Sequence, residues 1–494
     1  HYDVHAHMTP MIFFAVCVVA CGVAFFRPTL AAVFFVASVM CEALFVTPAS
    51  FGFNVRLYQV VAVALCVSGV FSLVIKKYIR RPVFRWHIFD SGVLLFLVGG
   101  IVSGALHYHV SGVVTQTIVF CSFGVVYFAT RFIVQNRTDV IALFPLLIAG
   151  GTVVGAYAIV QNVLFALGAQ HNEMMPGRPQ ATFTEPDWLG MYLVFVFAVC
   201  IAYLYDVTHN KNVWRFSKPL LFVSTTMITT AIIITVARSA WVGVVAVSVG
   251  YAVVLLWKKQ SRILLKHTLW FCATIAVSSA SVFLFSLTTF ELDNRIYSTS
   301  TGKQEITVAC DTLSSRDALI ARETIHNVAE LAPYGCRHIN LEDITTEKAD
   351  GALVFTIDRD DPNVVSRVAL YTTAYHAFAQ KPFLGYGWGQ STHLFGTDQN
   401  GVPFNTSNLF LETAIAMGVF GVIVLCGLMG FLGYVSIKAL RKAHNPAAIS
   451  GALFVFLGGI AIIVPNLFNA GMLLAYVWVF LGMSVAVFCK KPSV

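Results

Sequence analysis

Apolar residues run in blocks of about twenty along most of the chain, without the strict alternation of a half-buried strand. Thirteen such blocks fall near 11–26, 29–47, 57–75, 88–105, 112–134, 139–166, 188–205, 219–237, 239–257, 265–288, 407–435, 447–465 and 470–488. Blocks of that length cross a bilayer as helices, and none alternates as the strands of a closed barrel do. The pattern predicts an all-α polytopic membrane protein with 12–13 transmembrane helices. The lower number results if the first two blocks form one span and a partial helix. Residues 289–406 break the pattern. They hold a strand-like patch, ALVFTI (352–357), and a helix-like patch, SSRDALIARETIHNVAELA (314–332), where apolar residues recur at helical spacing. The expected organisation is a transmembrane body (8–288), one large external cap loop (289–406) and closing transmembrane helices (407–494). The opening HYDVHAHM ends in His-Met as a vector-derived leader does, and residues 1–7 are set aside. The block after it lacks the basic segment that precedes a cleavable signal.

Composition sharpens this. Of 494 residues, 57% are hydrophobic and 11% charged, whereas a soluble chain carries about a quarter charged. Mean hydropathy is +0.77. The charge is unevenly placed: residues 289–406 carry 15 acidic and 9 basic residues, net −6, against 9 and 23, net +14, elsewhere. Basic loops stay on the cytoplasmic side. KKYIRRPVFR (76–85), NKNVWRFSK (210–218), KKQSR (258–262), KALRK (438–442) and the tail KK (490–491) are therefore assigned inside. Alternation then puts 48–56, 106–111, 167–187 and 289–406 outside and the C-terminus in the cytoplasm. Nine of the eleven cysteines lie in apolar runs. Cys310 and Cys336 lie in the polar insert, where they fit a disulfide in an oxidising compartment or stand as two free thiols.

The informative polar residues are those at the outer ends of the spans, because a charge at membrane depth is costly. In GRPQATFTEPDWLGMYL (177–193), Glu185-Pro186-Asp187-Trp188 reads as a helix start. Capping and interfacial anchoring account for Asp187 and Trp188, and less well for Glu185. In VARSAWVGV (236–244), Arg238 occupies a tight outer hairpin, where the inside bias of basic residues makes it unusual. In SRVALYTTAYHAFAQKPFLGYGWGQ (366–390), Arg367 heads an amphipathic helix bearing Tyr371, and three alternate glycines follow it. Arginine's fork of donors matches phosphate oxygens. Arg178, Arg238 and Arg367 on one face point to an anionic phosphate ligand reached from the outer leaflet, with Glu185 the candidate base. DRDDP (358–362) has the carboxylates of a divalent-cation site, although a solvated turn explains it better.

In order, GRPQATFTEP, ARSAW, a large external loop, SRVALYTTAYHAFAQKPFLGYGWG and SNLFLETAIAMGVFG resemble the O-antigen ligase and Wzy-type polysaccharide polymerase superfamily, over roughly 170–435. That resemblance implies a bacterial membrane glycosyltransferase of the GT-C type in the inner (plasma) membrane, with its active site facing the periplasm or exterior. It implies an undecaprenyl-diphosphate-linked oligosaccharide as donor, an inverting attack by an acceptor hydroxyl, and no metal or other cofactor. Arg238 and Arg367 are then the diphosphate ligands and Arg178 a third. Ligases of the superfamily carry His-Asn, nine residues, then Gly-x-x-Gly at the helix after the loop. Here the nine residues and both glycines (Gly418, Gly421) are present, but Ser407 stands at the histidine position. This favours a polymerase, whose acceptor is another lipid-linked repeat unit, over a ligase. Glu185 leads as general base and Glu412 follows. Ser407 and Asn408 cap the helix and are candidate sugar contacts, Gly418 and Gly421 are read as close-packing glycines, and His376 and His393 are weaker candidates. Partners implied are the donor and acceptor, membrane lipids and a chain-length regulator protein, with no nucleic acid. A lipid-linked sugar transporter or flippase is the alternative of another class; it calls for internal repeats and broken helices.

Overall fold

The computed structural model describes residues 6–7, 10–46, 55–74, 85–110, 112–169, 177–209, 217–287, 292, 296–298, 301–322, 324–339, 344–396 and 404–489. The basic stretches 76–84 and 210–216 and the tail lie outside the described residues. By contact the chain divides into two compact units, residues 1–287 with 376–494, and residues 288–375.

The first unit is a helical bundle. In chain order its helices are α1 (Pro10–Phe26), α2 (Pro28–Val39), α3 (Leu57–Val74), α4 (Ile88–Leu106), α5 (Val113–Ile133), α6 (Arg137–Ala166), α7 (Pro186–His209), α8 (Lys218–Ile234), α9 (Arg238–Trp257) and α10 (Ser261–Leu284). After the second unit come α15 (Leu409–Lys442), α16 (Pro446–Asn466) and α17 (Ala475–Phe488). Among the described residues, eight helices are long and apolar enough to cross a membrane: α4, α5, α6, α7, α9, α10, α15 and α16. The other five are shorter apolar helices. A helix thus stands at each apolar block, and the fold is all-α and polytopic. The block at 29–47 yields a helix that stops at Val39. Beyond it the Glu42 carboxylate, 1% exposed, is buried against Arg56 and the Tyr58 hydroxyl.

α7 explains the packing of the bundle. PDWLGMYLVFVFAVCIAYLYDVTH is apolar all round, and such a helix belongs inside. It is buried from Leu189 to Asp206 and packs against α16, α8 and α9. Phe195 stacks on Tyr476, and Phe454 and Phe480 close the same layer. The polar ends are segregated. Lys258 Nζ donates to Ala443 O (2.7 Å), and Arg441 covers the Trp257 ring, so the α9–α10 and α15–α16 turns share one basic end. The starts of α7 and α9 lie at the other.

One ion pair is buried near the basic end, where the sequence pattern shows only two isolated charges in apolar blocks. Asp90 accepts from Arg131 Nε (2.9 Å) and Nη2 (3.2 Å), Tyr127 Oη (2.5 Å) and the His87 backbone N–H (2.6 Å). Removing one partner of such a pair strands a buried charge, at about 3–5 kcal/mol. Asp90→Ala is expected to lower the melting temperature of purified protein far more than Asp139→Ala, which removes a helix-end carboxylate.

The second unit is small and mixed. Strands β1 (Lys303–Cys310), β2 (Thr324–Ile325), β3 (Cys336–His338) and β4 (Leu353–Asp360) form one sheet in the order β2-β4-β1-β3. β1 pairs antiparallel with β4 and with β3, and Cys310, in register with Cys336, is bonded to it as a disulfide. ALVFTI is the start of β4, as expected. The patch 314–332 is not one helix: α11 (Leu313–Ile320) ends early, β2 follows, and a 3-10 turn runs from Val328 to Tyr334. The sheet edge captures Thr324-Ile325, and Asn327 caps the turn through its side chain and Glu330. Helix α12 (Ile344–Ala349) precedes β4. α13 (Pro362–Gln380) begins in the second unit and ends in the first, and α14 (Ser391–Phe395) is a single turn.

Candidate active site

The loop 177–185 is tied at several points before it enters α7. Asn162 Nδ2 donates to Gly177 O (3.3 Å), and Gln161 Oε1 accepts from the Ala181 N–H (2.7 Å). Thr182 Oγ1 donates to Met40 O (2.7 Å), and Thr182 O accepts from the Ala43 N–H (2.7 Å). These ties hold Ala181 at φ +49°, a left-handed conformation uncommon outside glycine. Arg178 is buried; its Nε donates to Thr235 O (3.0 Å) and its Nη2 reaches Asp187 (3.4 Å). Pro186 opens α7, as the sequence predicts. Glu185, half-buried just ahead of it, has its carboxyl pushed up to about 7 by burial and then by Asp187, against the pull of Arg178.

Three residues turn α8 into α9. Val236 holds φ +53°, a genuine outlier for a β-branched residue, and Trp241 Nε1 donates back to Ile232 O (3.3 Å). Arg238 is the first residue of α9 and half-buried. Gly190 of α7 faces this hairpin so closely that a Cβ would come within 2.9 Å of Ala240 and 3.1 Å of Ala237. Asn469 Nδ2, just after α16, donates to Ser239 Oγ (2.9 Å). Asn408 Nδ2 donates to Leu467 O (2.9 Å), and Asn408 Oδ1 caps α15 by accepting from the Phe410 and Leu411 N–H groups (3.0 Å each). Ser407 lies outside the helix at φ +47°, its hydroxyl 3.3 Å from Asn405 Oδ1. Glu412 accepts from Thr406 N (3.2 Å) and Oγ1 (3.0 Å).

One end of the bundle therefore gathers Arg178, Glu185, Arg238, Ser407 and Asn408, with the starts of α7, α9 and α15. Helix starts present a positive dipole end, which suits an anion. Of five non-glycine residues with clearly positive φ among the described residues, three (Ala181, Val236, Ser407) lie on these loops. Such conformations cost of order 1–3 kcal/mol each and cluster at functional sites.

Arg367 and Tyr371 belong to the second unit, both half-buried on α13, with Arg367 engaged by a partner. His376 and His393 are exposed residues of the first unit. DRDDP is no solvated turn: its first three residues end β4, Asp358 accepts from Tyr297 Oη (2.9 Å) and Asp360 pairs with His326 (2.5 Å).

Gly418 has a role that its spacing from Gly421 does not announce. It interrupts α15 at φ +64°, ψ −161°. The segment KPFLGYGWG fills the break: Tyr386 N donates to Ile415 O (2.8 Å), Gly387 N to Ala416 O (3.0 Å), and Val419 N to Pro382 O (2.7 Å). Ser103 Oγ of α4 lies 2.7 Å from Ala416 O. The expectation of close helix packing at Gly418 and Gly421 is corrected. A Cβ on Gly418 would overlap the backbone of Phe383 and Pro382, and one on Gly421 would meet Met417 and Thr413 of its own helix.

Residues 222–426 match the family model described as O-antigen ligase, a stretch that holds Arg238, Arg367, Ser407 and Glu412 and begins after Arg178 and Glu185. That match, over residues 222–426, supports the O-antigen ligase/Wzy superfamily. No curated protein matches it.

Proposed function

We propose that the chain is a membrane glycosyltransferase that polymerises undecaprenyl-diphosphate-linked oligosaccharide repeat units at the outer face of the plasma membrane, with its C-terminus in the cytoplasm. An acceptor hydroxyl attacks the anomeric carbon of the donor sugar, Glu185 takes its proton, and the bond to the lipid diphosphate breaks with its electron pair on the leaving group. Arg238 neutralises that group, which needs charge stabilisation more than protonation. Arg178, already committed to Thr235 and Asp187, steadies the loop that carries Glu185. Asn408 and Ser407 offer hydrogen bonds to sugar. The reaction so written calls for no metal, and a chelator is expected to leave turnover unchanged.

The observation that carries this reading is the placement of Glu185 just ahead of α7, on a loop that Arg178 ties to Asp187 and to Thr235 before α9, with its carboxyl pushed up to about 7 by burial. A base poised near the working pH is the efficient one. Serine at 407, its hydroxyl near Asn405, supports a polymerase over a ligase because it supplies no unaided base. The break in α15 is a feature that a transporter would also use. Its freed carbonyls at Ile415 and Ala416 are taken by protein N–H groups, however, so it is plugged rather than open to a pathway.

The test is a pH profile. The base is the ionised form, about a tenth populated at pH 6 and about nine tenths at pH 8 for a group near 7. Turnover is expected to rise about tenfold per pH unit below 7 and level off above it. Glu185→Gln should lose about 10²–10⁴-fold at pH 8 and lose this rise. An unchanged profile in the variant would move the base elsewhere. Transfer of a single glycan to a foreign acceptor without chain growth would favour the ligase.

A further inference from the structure

The basic end of the bundle holds a cavity of about 330 Å³ lined by Trp257, Lys258 and Arg441, far from every residue of the proposed reaction. Lys258 Nζ spends one donor on Ala443 O (2.7 Å), which holds the ammonium over the cavity with two donors left. Arg441 is held 5.1 Å from the centre of the Trp257 ring. Among the described residues, neither cation has a carboxylate partner. Burial pulls the Lys258 ammonium below its ordinary value, a cost that an anion would offset.

The surroundings indicate what carries the anion. Along α9, Val249, Val253 and Leu256 are all more than half exposed, and this apolar ridge leads straight to Trp257. On α15, Gly430 and Gly433 open onto empty space about two to three turns before Arg441. α16 packs against both α9 and α15, and its Gly459 is likewise open. Two apolar helix walls therefore lead to a paired-cation mouth with an interfacial tryptophan. A free phosphate would have no use for the walls, and a soluble protein would not face them. We propose that Lys258 and Arg441 bind the phosphate of an anionic phospholipid, with the headgroup against Trp257 and the acyl chains along the α9 and α15 walls. Basic pockets between helices take lipid headgroups in this way.

The experiment uses full-length protein exchanged into nanodiscs of phosphatidylcholine with graded phosphatidylglycerol, with retained lipid read by native mass spectrometry. Wild type should keep one phosphatidylglycerol. Each cation near a membrane surface contributes roughly a factor of five, so Lys258→Gln with Arg441→Gln should weaken retention about thirtyfold. Lys266→Gln, which removes an exposed cation nearby on α10, should not. The exchange pair Lys258→Arg with Arg441→Lys should keep the lipid, and it decides the matter if the neutral pair fails to fold. Equal retention by the neutral pair, loss by the charge-keeping pair, or displacement of the lipid by millimolar inorganic phosphate would each overturn the proposal. The last outcome would mark a free-phosphate site.

Discussion

Arg238→Ala is expected to abolish chain growth by purified protein supplied with lipid-linked repeats. Loss of one preorganised donor to a developing anion costs roughly 10²–10³-fold, about 3–4 kcal/mol. The charge on the leaving diphosphate grows toward the transition state, so the loss should fall on kcat more than on KM. Arg238 begins α9 half-buried, at a helix start, and folding should survive its truncation. Arg238→Lys should recover only part of the rate, because lysine keeps the charge but not the planar fork. Full turnover by the alanine variant, in a preparation with an unchanged melting temperature, would remove Arg238 from the site.

Gly418→Ala should damage the protein in another way. Alanine at φ +64°, ψ −161° would sit in a backbone region essentially confined to glycine, at a cost of roughly 1–3 kcal/mol. Its Cβ would also overlap the Phe383 and Pro382 backbone, and forced repacking of that kind adds roughly 1–3 kcal/mol. The strand of chain from Lys381 to Gly389 would have to leave α15, freeing the Ile415 and Ala416 carbonyls inside the bundle. Thermal melts should show a large fall for Gly418→Ala. Gly427→Ala, which meets open space in the same helix, should be neutral or gain up to about 1 kcal/mol. Equal melting temperatures for the two variants would mean that the break at Gly418 is not a structural requirement.

The contrast between these positions marks how far the sequence could be read. Each apolar block became a helix, because a run of about twenty apolar residues with polar ends leaves the backbone no other way to satisfy its hydrogen bonds in a bilayer. Boundaries set by distant partners were not legible. α2 stops at Val39 because Glu42 is buried against Arg56 and Tyr58, from the far side of a loop. KQEITVAC gave no strand signal strong enough to stand alone, yet it pairs along its whole length with Leu353–Asp360. The helical spacing of 314–332 was real only as far as Ile320, after which a sheet edge took over. At the candidate site, Glu-Pro-Asp-Trp announced the start of α7 by local rules. The raised carboxyl of Glu185 was not legible, because its burial is tertiary. The break at Gly418 was hidden for the same reason, since the N–H groups that fill it come from Tyr386 and Gly387. Gly421, three residues on, made the pair look like a packing motif.

The most direct measurement of the central claim follows both products at once. Purified wild-type protein in liposomes is given undecaprenyl-diphosphate-linked repeat units, and glycan length and free undecaprenyl diphosphate are quantified over time at pH 8. The expected result is a ladder of lengthening glycans, one undecaprenyl diphosphate released per repeat joined, and neither product from Arg238→Ala or Glu185→Gln. Unlengthened glycan with no released lipid diphosphate, from protein that is folded and supplied with both donor and acceptor, would contradict it.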